Sequence, residues 1–259
     1  MQLKDLLARC SLKAAALEAG LEVRMMGGRL TFRPLDADDP RHSVDFILPS
    51  MKMVEACRAD DFDFFLPWIE AGRLTAEQMH HAAGRYHLGK SRSGRPMFWM
   101  MDERLDPLDA HIGSEGWLSE ALKRREPVLS QWCPAHCLFG LHLLAQRGTG
   151  PLLPVAIVEA EASAVVLSEL FPEALWMAYA TVEHLDCRLF APLRGRTVTI
   201  YPRTDPSFST YLFFHDLAEE VRRRYDMHIG VASVLEDHAS AEQKERCIDL
   251  LEFLRGARE

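Results

Sequence analysis

The sequence lacks long apolar stretches and a regular spacing of cysteines, and each absence excludes a class of protein. Its apolar runs, such as residues 164–167, end long before the roughly 20 apolar residues that a membrane-spanning helix requires. The first ten residues lack the apolar core of a secretion signal. The six cysteines follow no regular framework, which predicts free thiols. We therefore expect a cytoplasmic protein without a membrane segment.

An excess of basic charge is also absent. The chain has 30 Lys and Arg against 38 Asp and Glu, which gives a formal net charge of −8. Such a balance disfavours a bulk electrostatic attraction to nucleic acid or to an anionic membrane. Any contact with nucleic acid would require a local basic patch or bridging metal ions. The sequence also contains no dinucleotide-binding glycine motif, no P-loop and no Gly-x-Ser-x-Gly, which excludes the commonest nucleotide-binding and hydrolase sites.

The amino-acid composition is typical of a folded protein. Hydrophobic residues make up 48% and charged residues 26% of the 259 positions. In the N-terminal part, a hairpin around Gly27-Gly28, a helix over residues 75–85 opened by Thr75 and a β-meander over residues 86–112 predict an α+β region. A Gly- and Pro-containing connector at residues 147–151 predicts a boundary. We expect one domain over residues 1–150 and a second over residues 151–259.

The C-terminal part alternates strands and helices. The apolar pattern predicts strands at residues 154–158, 175–179, 196–201 and 228–234. It predicts helices at residues 161–171, 208–225 and 241–254. Buried strands separated by helices are typical of a parallel sheet with right-handed crossovers. The fold class is therefore α/β, with a parallel sheet flanked by helices in the C-terminal half and an α+β region before it.

Charged residues follow two of the predicted strands. Glu159 and Glu161 come after the first strand of this half, and Arg203 and Asp205 come after the third. Ligands of open parallel sheets gather at the carboxyl ends of the strands. Carboxylates from separate strand ends suit Mg²⁺, which binds one or two carboxylates together with water and phosphate. The pattern indicates a Mg²⁺ site at this edge.

At these residues the sequence resembles the toprim fold of bacterial primases, topoisomerases and related nucleases. That family carries a Glu directly after its first strand, and Glu159 matches it. The resemblance implies an acid/base role for Glu159 and Mg²⁺ ligation by acids after the third strand. Of the expected Asp-x-Asp pair only Asp205 is present, and Pro202 or Arg203 stands where the other Asp is expected.

A narrower resemblance covers residues 86–235. It is to an uncharacterised bacterial family of primase-like, toprim-containing proteins associated with mobile elements. The stretches that carry it are YHLGKS (86–91), MFWMMD (97–102), CLFGLHLL (137–144), VAIVEAE (155–161) and TIYP (199–202). It implies a nucleic-acid-associated protein with Glu159 as catalytic residue and Glu159, Glu161 and Asp205 as Mg²⁺ ligands. The family's N-terminal zinc-binding Cys cluster is missing, and a guanidinium at position 203 would replace a metal ligand with a cation.

These departures leave two functions open: a primase-like protein with Mg²⁺-dependent catalysis lost or reduced, and a non-catalytic binding or adaptor protein of a mobile element. The residues themselves have simpler interpretations. Glu159 and Glu161 are placed as acids at a helix N-terminus, where the helix dipole stabilises them. Asp205 before Pro206 is typical of a turn. Arg203 is also placed to bind phosphate directly without metal.

Other clusters give weaker signals. Lys90, Arg92 and Arg95 form a basic turn that, with Tyr86, Phe98 and Trp99 beside it, is a candidate nucleic-acid-binding surface. The alternative places those aromatic rings in the core. Cys133 and Cys137 have zinc-ligand chemistry but lack a second ligand pair, which favours buried thiols over zinc. The pattern identifies no protein partner.

Overall fold

The structure, a computed structural model, describes residue 17 and residues 20–26, 29–36, 38, 44–47, 49–125, 134–145 and 152–256. The chain divides into two compact units. Unit 1 contains Met1–Arg58 and His87–His136, and unit 2 contains Ala59–Tyr86 and Cys137–Glu259. The chain therefore passes from unit 1 into unit 2, returns, and enters unit 2 again. The predicted boundary at residue 150 lies outside the described residues.

Eleven strands lie in the described part of the chain. They are β1 (Leu21–Met26), β2 (Arg29–Pro34), β3 (Val44–Ile47), β4 (Gly89–Lys90), β5 (Pro96–Met101), β6 (Pro107–Ile112), β7 (Gly116–Trp117), β8 (Val155–Val158), β9 (Leu175–Ala178), β10 (Val198–Ile200) and β11 (Ile229–Val231).

The α-helices of the same residues are mostly short. They are α1 (Met51–Cys57), α2 (Leu66–Glu70), α3 (Ala76–Arg85), α4 (Leu118–Arg125), α5 (Glu161–Leu170), α6 (Ser209–Tyr225), α7 (Val234–His238), α8 (Ala241–Glu245) and α9 (Leu250–Gly256). Short 3-10 helices occupy Asp63–Phe65, Gly113–Glu115, Leu141–Ala145, Val182–His184 and Cys187–Leu193. In the portion that the structure describes, no helix combines the length and apolar composition needed to cross a membrane.

Unit 1 is built on antiparallel sheets. The predicted hairpin is confirmed as β1 and β2, which pair from Leu21 opposite Pro34 to Met26 opposite Arg29, and β3 extends this sheet. A second antiparallel sheet has the order β4-β5-β6-β7. One face of β5 and β6 buries a cluster around Trp99 against Val54 of α1. Five of the six residues in each of β5 and β6 are buried, so residues 96–101 form a continuous apolar run rather than an alternating one. The sheets and α1 confirm the α+β N-terminal region.

Unit 2 is built on a four-stranded parallel sheet of order β11-β10-β8-β9. All residues of β8 and β9 are buried, which is why these strands are continuous apolar runs rather than alternating ones. Helix α5 packs against β9 and β8, with α3 and α9 against α5, and α6 packs against β11. The predicted α/β half with helices flanking a parallel sheet is confirmed.

The prediction of one continuous helix over residues 241–254 is wrong. The structure has two helices there, α8 and α9, separated by a turn. Cys247 in this turn has a left-handed backbone with φ 50°. Asp249 then begins α9 by accepting a hydrogen bond from Glu252 N at 2.8 Å. The apolar periodicity continues through the turn, so that the pattern alone did not separate the helices.

The strand order creates a switch point between β8 and β10. From β8 the chain crosses to β9 on one side of the sheet, whereas β10 and β11 lie on the other side. In open parallel sheets, a crevice forms outside the carboxyl ends of the two strands at which the order reverses. The residues directly after β8 and β10 therefore define the candidate site.

Candidate functional site

Glu159 and Arg203 meet at the switch point of unit 2. Glu159 follows β8, and Arg203 comes three residues after β10. Arg203 Nε lies 3.4 Å from Glu159 Oε2, with the Arg203 side chain 48% and the Glu159 side chain 26% exposed. The structure thus brings together two residues that the sequence placed at separate strand ends.

The end of β9 fixes Glu159 from the other side. Tyr179 Oη donates a hydrogen bond to the same carboxylate atom, Oε2, at 3.2 Å. The next residue, Ala180, has φ 61°, and its N–H donates to the Glu159 carbonyl oxygen at 3.0 Å. An alanine in the left-handed region is a strained position that its surroundings must hold in place. Both the backbone and the side chain of Glu159 are therefore tied to β9.

Burial raises the pKa of the Glu159 carboxyl above its ordinary value. The Arg203 guanidinium and the Tyr179 hydroxyl lower it, since both stabilise the carboxylate, but they do not cancel the effect of burial. The negative charges of Asp249 and Glu161 raise it further. The ionised form of Glu159 is therefore less favoured than that of an exposed glutamate.

Sequence reasoning missed Tyr179. The residue is buried, its ring centroid lies 4.9 Å from that of Phe214 of α6, and burial raises the pKa of its hydroxyl far above the ordinary value. At neutral pH it is therefore a hydrogen-bond donor and not a base. The signal was present, because Tyr179 ends a predicted strand at the same sheet edge as Glu159.

Two further acids lie around Glu159. Glu161 begins α5 and is buried, with 5% exposed. Asp249, which sequence reasoning missed, accepts a hydrogen bond from Ser163 Oγ of α5 at 2.5 Å as well as the bond from Glu252 N. The spacing of Asp249 and Glu252 is that of a capping box, a signal that was available in the sequence.

Asp205 has a different environment. It is 8% exposed, and its two oxygens accept hydrogen bonds from Ser207, Ser209 and Thr210, including the first two backbone N–H groups of α6. Burial alone would raise its pKa, but these hydrogen bonds outweigh burial and hold the pKa well below its ordinary value. These contacts agree with the interpretation of Asp205 as a turn residue.

Thr204, between Arg203 and Asp205, connects this strand end to the C-terminal helices. Its N–H donates to the Ile248 carbonyl oxygen at 3.1 Å, and its Oγ1 donates to Glu236 Oε1 at 2.8 Å. The other carboxylate oxygen of Glu236, a residue whose side chain is 6% exposed, pairs with Lys244 Nζ at 3.1 Å. The backbone that presents Arg203 is therefore held rigidly.

The predicted basic turn lies in unit 1, whereas Glu159 and Arg203 lie in unit 2. Lys90 is half-buried, and Arg92 and Arg95 are exposed around the turn between β4 and β5. The aromatic side chains proposed beside it are buried, with Tyr86 and Trp99 at 0% and Phe98 at 5% exposure. The alternative that placed these rings in the core is confirmed, and a stacking surface built from them is wrong.

Metal ligation stays a prediction. Among the side chains that the structure describes, no three His, Cys, Asp or Glu residues form a group suited to a metal ion. Glu159 and Glu161 lie close enough to influence each other electrostatically, while both oxygens of Asp205 are engaged at the start of α6. Cys133 of the candidate zinc pair lies outside the described residues.

Comparison with known proteins places the chain in a family. No curated protein matches the sequence. The profile of the family described as "Domain of unknown function (DUF6371)" matches residues 63–204. This match spans more than half of the chain and includes the basic turn, Glu159 and Arg203. The chain belongs to the DUF6371 family.

Proposed function

We propose that the protein is a toprim-related, primase-like protein that associates with nucleic acid and in which Mg²⁺-dependent catalysis is lost. In this proposal the sheet edge at β8 and β10 holds a backbone phosphate through Arg203. The observation that carries it is the position of Arg203 at the switch point, 3.4 Å from Glu159. A guanidinium presents five N–H donors in a planar fork that suits phosphate oxygens.

The donors at this edge favour phosphate over Mg²⁺. A metal ion shared by Glu159 and Asp205 would take the place of the Arg203 guanidinium, which already neutralises Glu159. It would also compete with the hydrogen bonds that Asp205 accepts at the start of α6. A fixed cation beside the carboxylate lowers the affinity for a second cation, whereas it raises the affinity for an anion.

Access to Arg203 also supports the proposal. Nearly half of its side chain is exposed, so a ligand reaches the guanidinium without moving the core. Because the net charge is −8, binding would depend on a few local cations rather than on the whole surface. The cytoplasmic location and the association with mobile elements stay predictions.

The test is binding of fluorescently labelled single-stranded and duplex DNA, measured by anisotropy across a salt series. We expect binding in EDTA, and we expect Mg²⁺ not to strengthen it. We expect Arg203→Gln to weaken binding to all DNA sequences alike and to reduce the slope of log K against log salt by about 1.

The matched control is Arg188→Gln. Arg188 is exposed and paired with Asp186 at 2.6 Å, so this variant removes the same charge from another Arg–carboxylate pair of unit 2. Equal losses of affinity for the two variants would contradict a specific role of Arg203. Binding that requires Mg²⁺ would contradict the loss of the metal site. Arg92→Gln tests the predicted basic turn separately.

A non-catalytic adaptor is the second candidate. Near the start of α6, Leu212 is 52% exposed and Phe213 is 45% exposed. Neighbouring exposed apolar side chains are typical of protein-binding surfaces. Failure of both kinds of DNA to bind at low salt would favour this function.

A further inference from the structure

Arg203 has an internal anionic partner at the position where the proposed function places a phosphate. Glu159 Oε2 lies 3.4 Å from Arg203 Nε, and the same oxygen accepts the hydrogen bond of Tyr179 Oη at 3.2 Å. Carboxylate and phosphate oxygens compete for the same guanidinium donors. A bound phosphate and the Glu159 carboxylate would therefore share, or exchange for, one cation.

The Glu159–Arg203 contact is long for such a pair. Charge-assisted N–H···O bonds are usually about 2.7–2.9 Å, and the exposed pair of Arg188 and Asp186 reaches 2.6 Å with several hydrogen bonds. Tyr179 and the backbone of Ala180 also bind Glu159 from the β9 side. A loose internal pair is one that an incoming anion can displace.

We propose that Glu159 is an internal competitor that occupies Arg203 until a phosphate of nucleic acid displaces it. This inference rests on the proposed function and adds regulation of the same site. The phosphate gains the guanidinium, and Glu159 remains next to Tyr179 without its cation.

The groups around Glu159 determine the direction of the effect. Arg203 after β10 and Tyr179 at the end of β9 stabilise its carboxylate, whereas Glu161 of α5 and Asp249 before α9 destabilise it. A phosphate that takes Arg203 leaves the Glu159 carboxylate beside a second negative charge and without its cation. Removal of the Glu159 charge should therefore strengthen binding.

The test compares wild type with Glu159→Gln, which keeps the shape of the side chain and removes its charge. The probe is a labelled 12-nucleotide single-stranded DNA at fixed salt. We expect the variant to bind roughly fivefold tighter or more at pH 8, a size typical of coupling between two binding events.

The control is Glu55→Gln. Glu55 forms a similarly long, exposed pair with Arg58 at 3.6 Å, and this variant changes the net charge by the same amount. Equal gains of affinity for both variants would overturn competition at Arg203, and so would weaker binding by Glu159→Gln. If wild type binds DNA and Arg203→Gln weakens binding more than Arg188→Gln does, either of these outcomes leaves the proposed function intact. No binding by any of the proteins would overturn both proposals.

Discussion

The ends of strands β8 and β10 each carry an acid. The two acids look equivalent in the sequence, but the structure gives them different hydrogen-bond partners and opposite shifts in pKa. After β8, Glu159 shares one oxygen between a tyrosine and an arginine, and burial raises its pKa. In the turn after β10, both oxygens of Asp205 accept hydrogen bonds, and its pKa is lowered. In our proposal, Glu159 exchanges its partner on binding phosphate, whereas the contacts of Asp205 hold the start of α6.

The contrast has a physical origin in the segment that comes after each strand. The chain after β10 begins a 17-residue helix, whose first N–H groups lack partners within the helix and bind the carboxylate of Asp205. The chain after β8 enters α5 directly, and its N-cap residue Ala160 provides no side-chain hydrogen bond. Glu159 faces the sheet edge instead of the helix end. Function should therefore depend on Glu159, and stability on Asp205.

The largest expected effect is that of Asp205→Ala on stability. The variant leaves the N–H groups of Ser209 and Thr210 and two hydroxyls without their acceptor. We expect a loss of about 2–4 kcal/mol in the free energy of unfolding, the sum of a helix cap and hydrogen bonds to a charged group. Urea denaturation followed by circular dichroism measures it.

Asp216→Ala is the matched control, because Asp216 is an exposed acid on the same helix. It should change the free energy of unfolding by less than about 0.5 kcal/mol. A loss of similar size in both variants would break the distinction between Asp205 and an ordinary surface acid.

Thr204→Val gives the next largest effect. The substitution keeps the side-chain shape and removes the hydroxyl that donates to the carboxylate of Glu236, whose side chain is buried. We expect a loss of about 1.5–3 kcal/mol in the free energy of unfolding by urea denaturation, the range for hydrogen bonds to charged groups. Thr199→Val, the same change within β10 at a half-buried position, should cost much less. Equal losses would mean that the strand end after β10 is not held through Glu236.

The third prediction is that the free energy of unfolding, relative to wild type, changes with pH in opposite directions for Asp205→Asn and Glu159→Gln. The folded-state pKa of Asp205 is lowered, so its stabilisation is present above the ordinary value near 3.8 and is lost as the pH falls. The folded-state pKa of Glu159 is raised, so wild type loses stability as the pH rises from 4.5 through the raised value.

Relative to wild type, Asp205→Asn should therefore become less stable as the pH rises from 3 to 7, and Glu159→Gln more stable. Urea denaturation at several pH values measures both slopes. Slopes of the same sign would contradict the electrostatic difference between the two strand ends.

The sequence predicted the two strand ends but not their environments. The buried runs of β8 and β10 and the α/β pattern around them are local signals, so the positions of Glu159, Arg203 and Asp205 at one sheet edge could be derived from them. The contact of Arg203 with Glu159 depends on strand order, which the pattern does not contain. Asp249 comes from a turn near the C-terminus, 90 residues after Glu159, and such long-range approach results only from the packing of α9 on α5.

The smallest expected effect is that of Tyr179→Phe, which isolates one of the two partners of Glu159. The variant keeps the ring against Phe214 and removes the hydroxyl, so we expect a loss of about 1 kcal/mol or less in stability. Because the hydroxyl stabilises the carboxylate, its loss should raise the pKa of Glu159 further above the ordinary value. A carbon-13 NMR titration of the Glu side-chain carboxyls measures this shift.

The control is Tyr211→Phe, because Tyr211 of α6 is a half-buried tyrosine stacked on Phe208. This variant should leave the titration unchanged. An unchanged or lowered pKa in Tyr179→Phe would mean that Glu159 is held by Arg203 alone, and the β8 end would then resemble an ordinary ion pair.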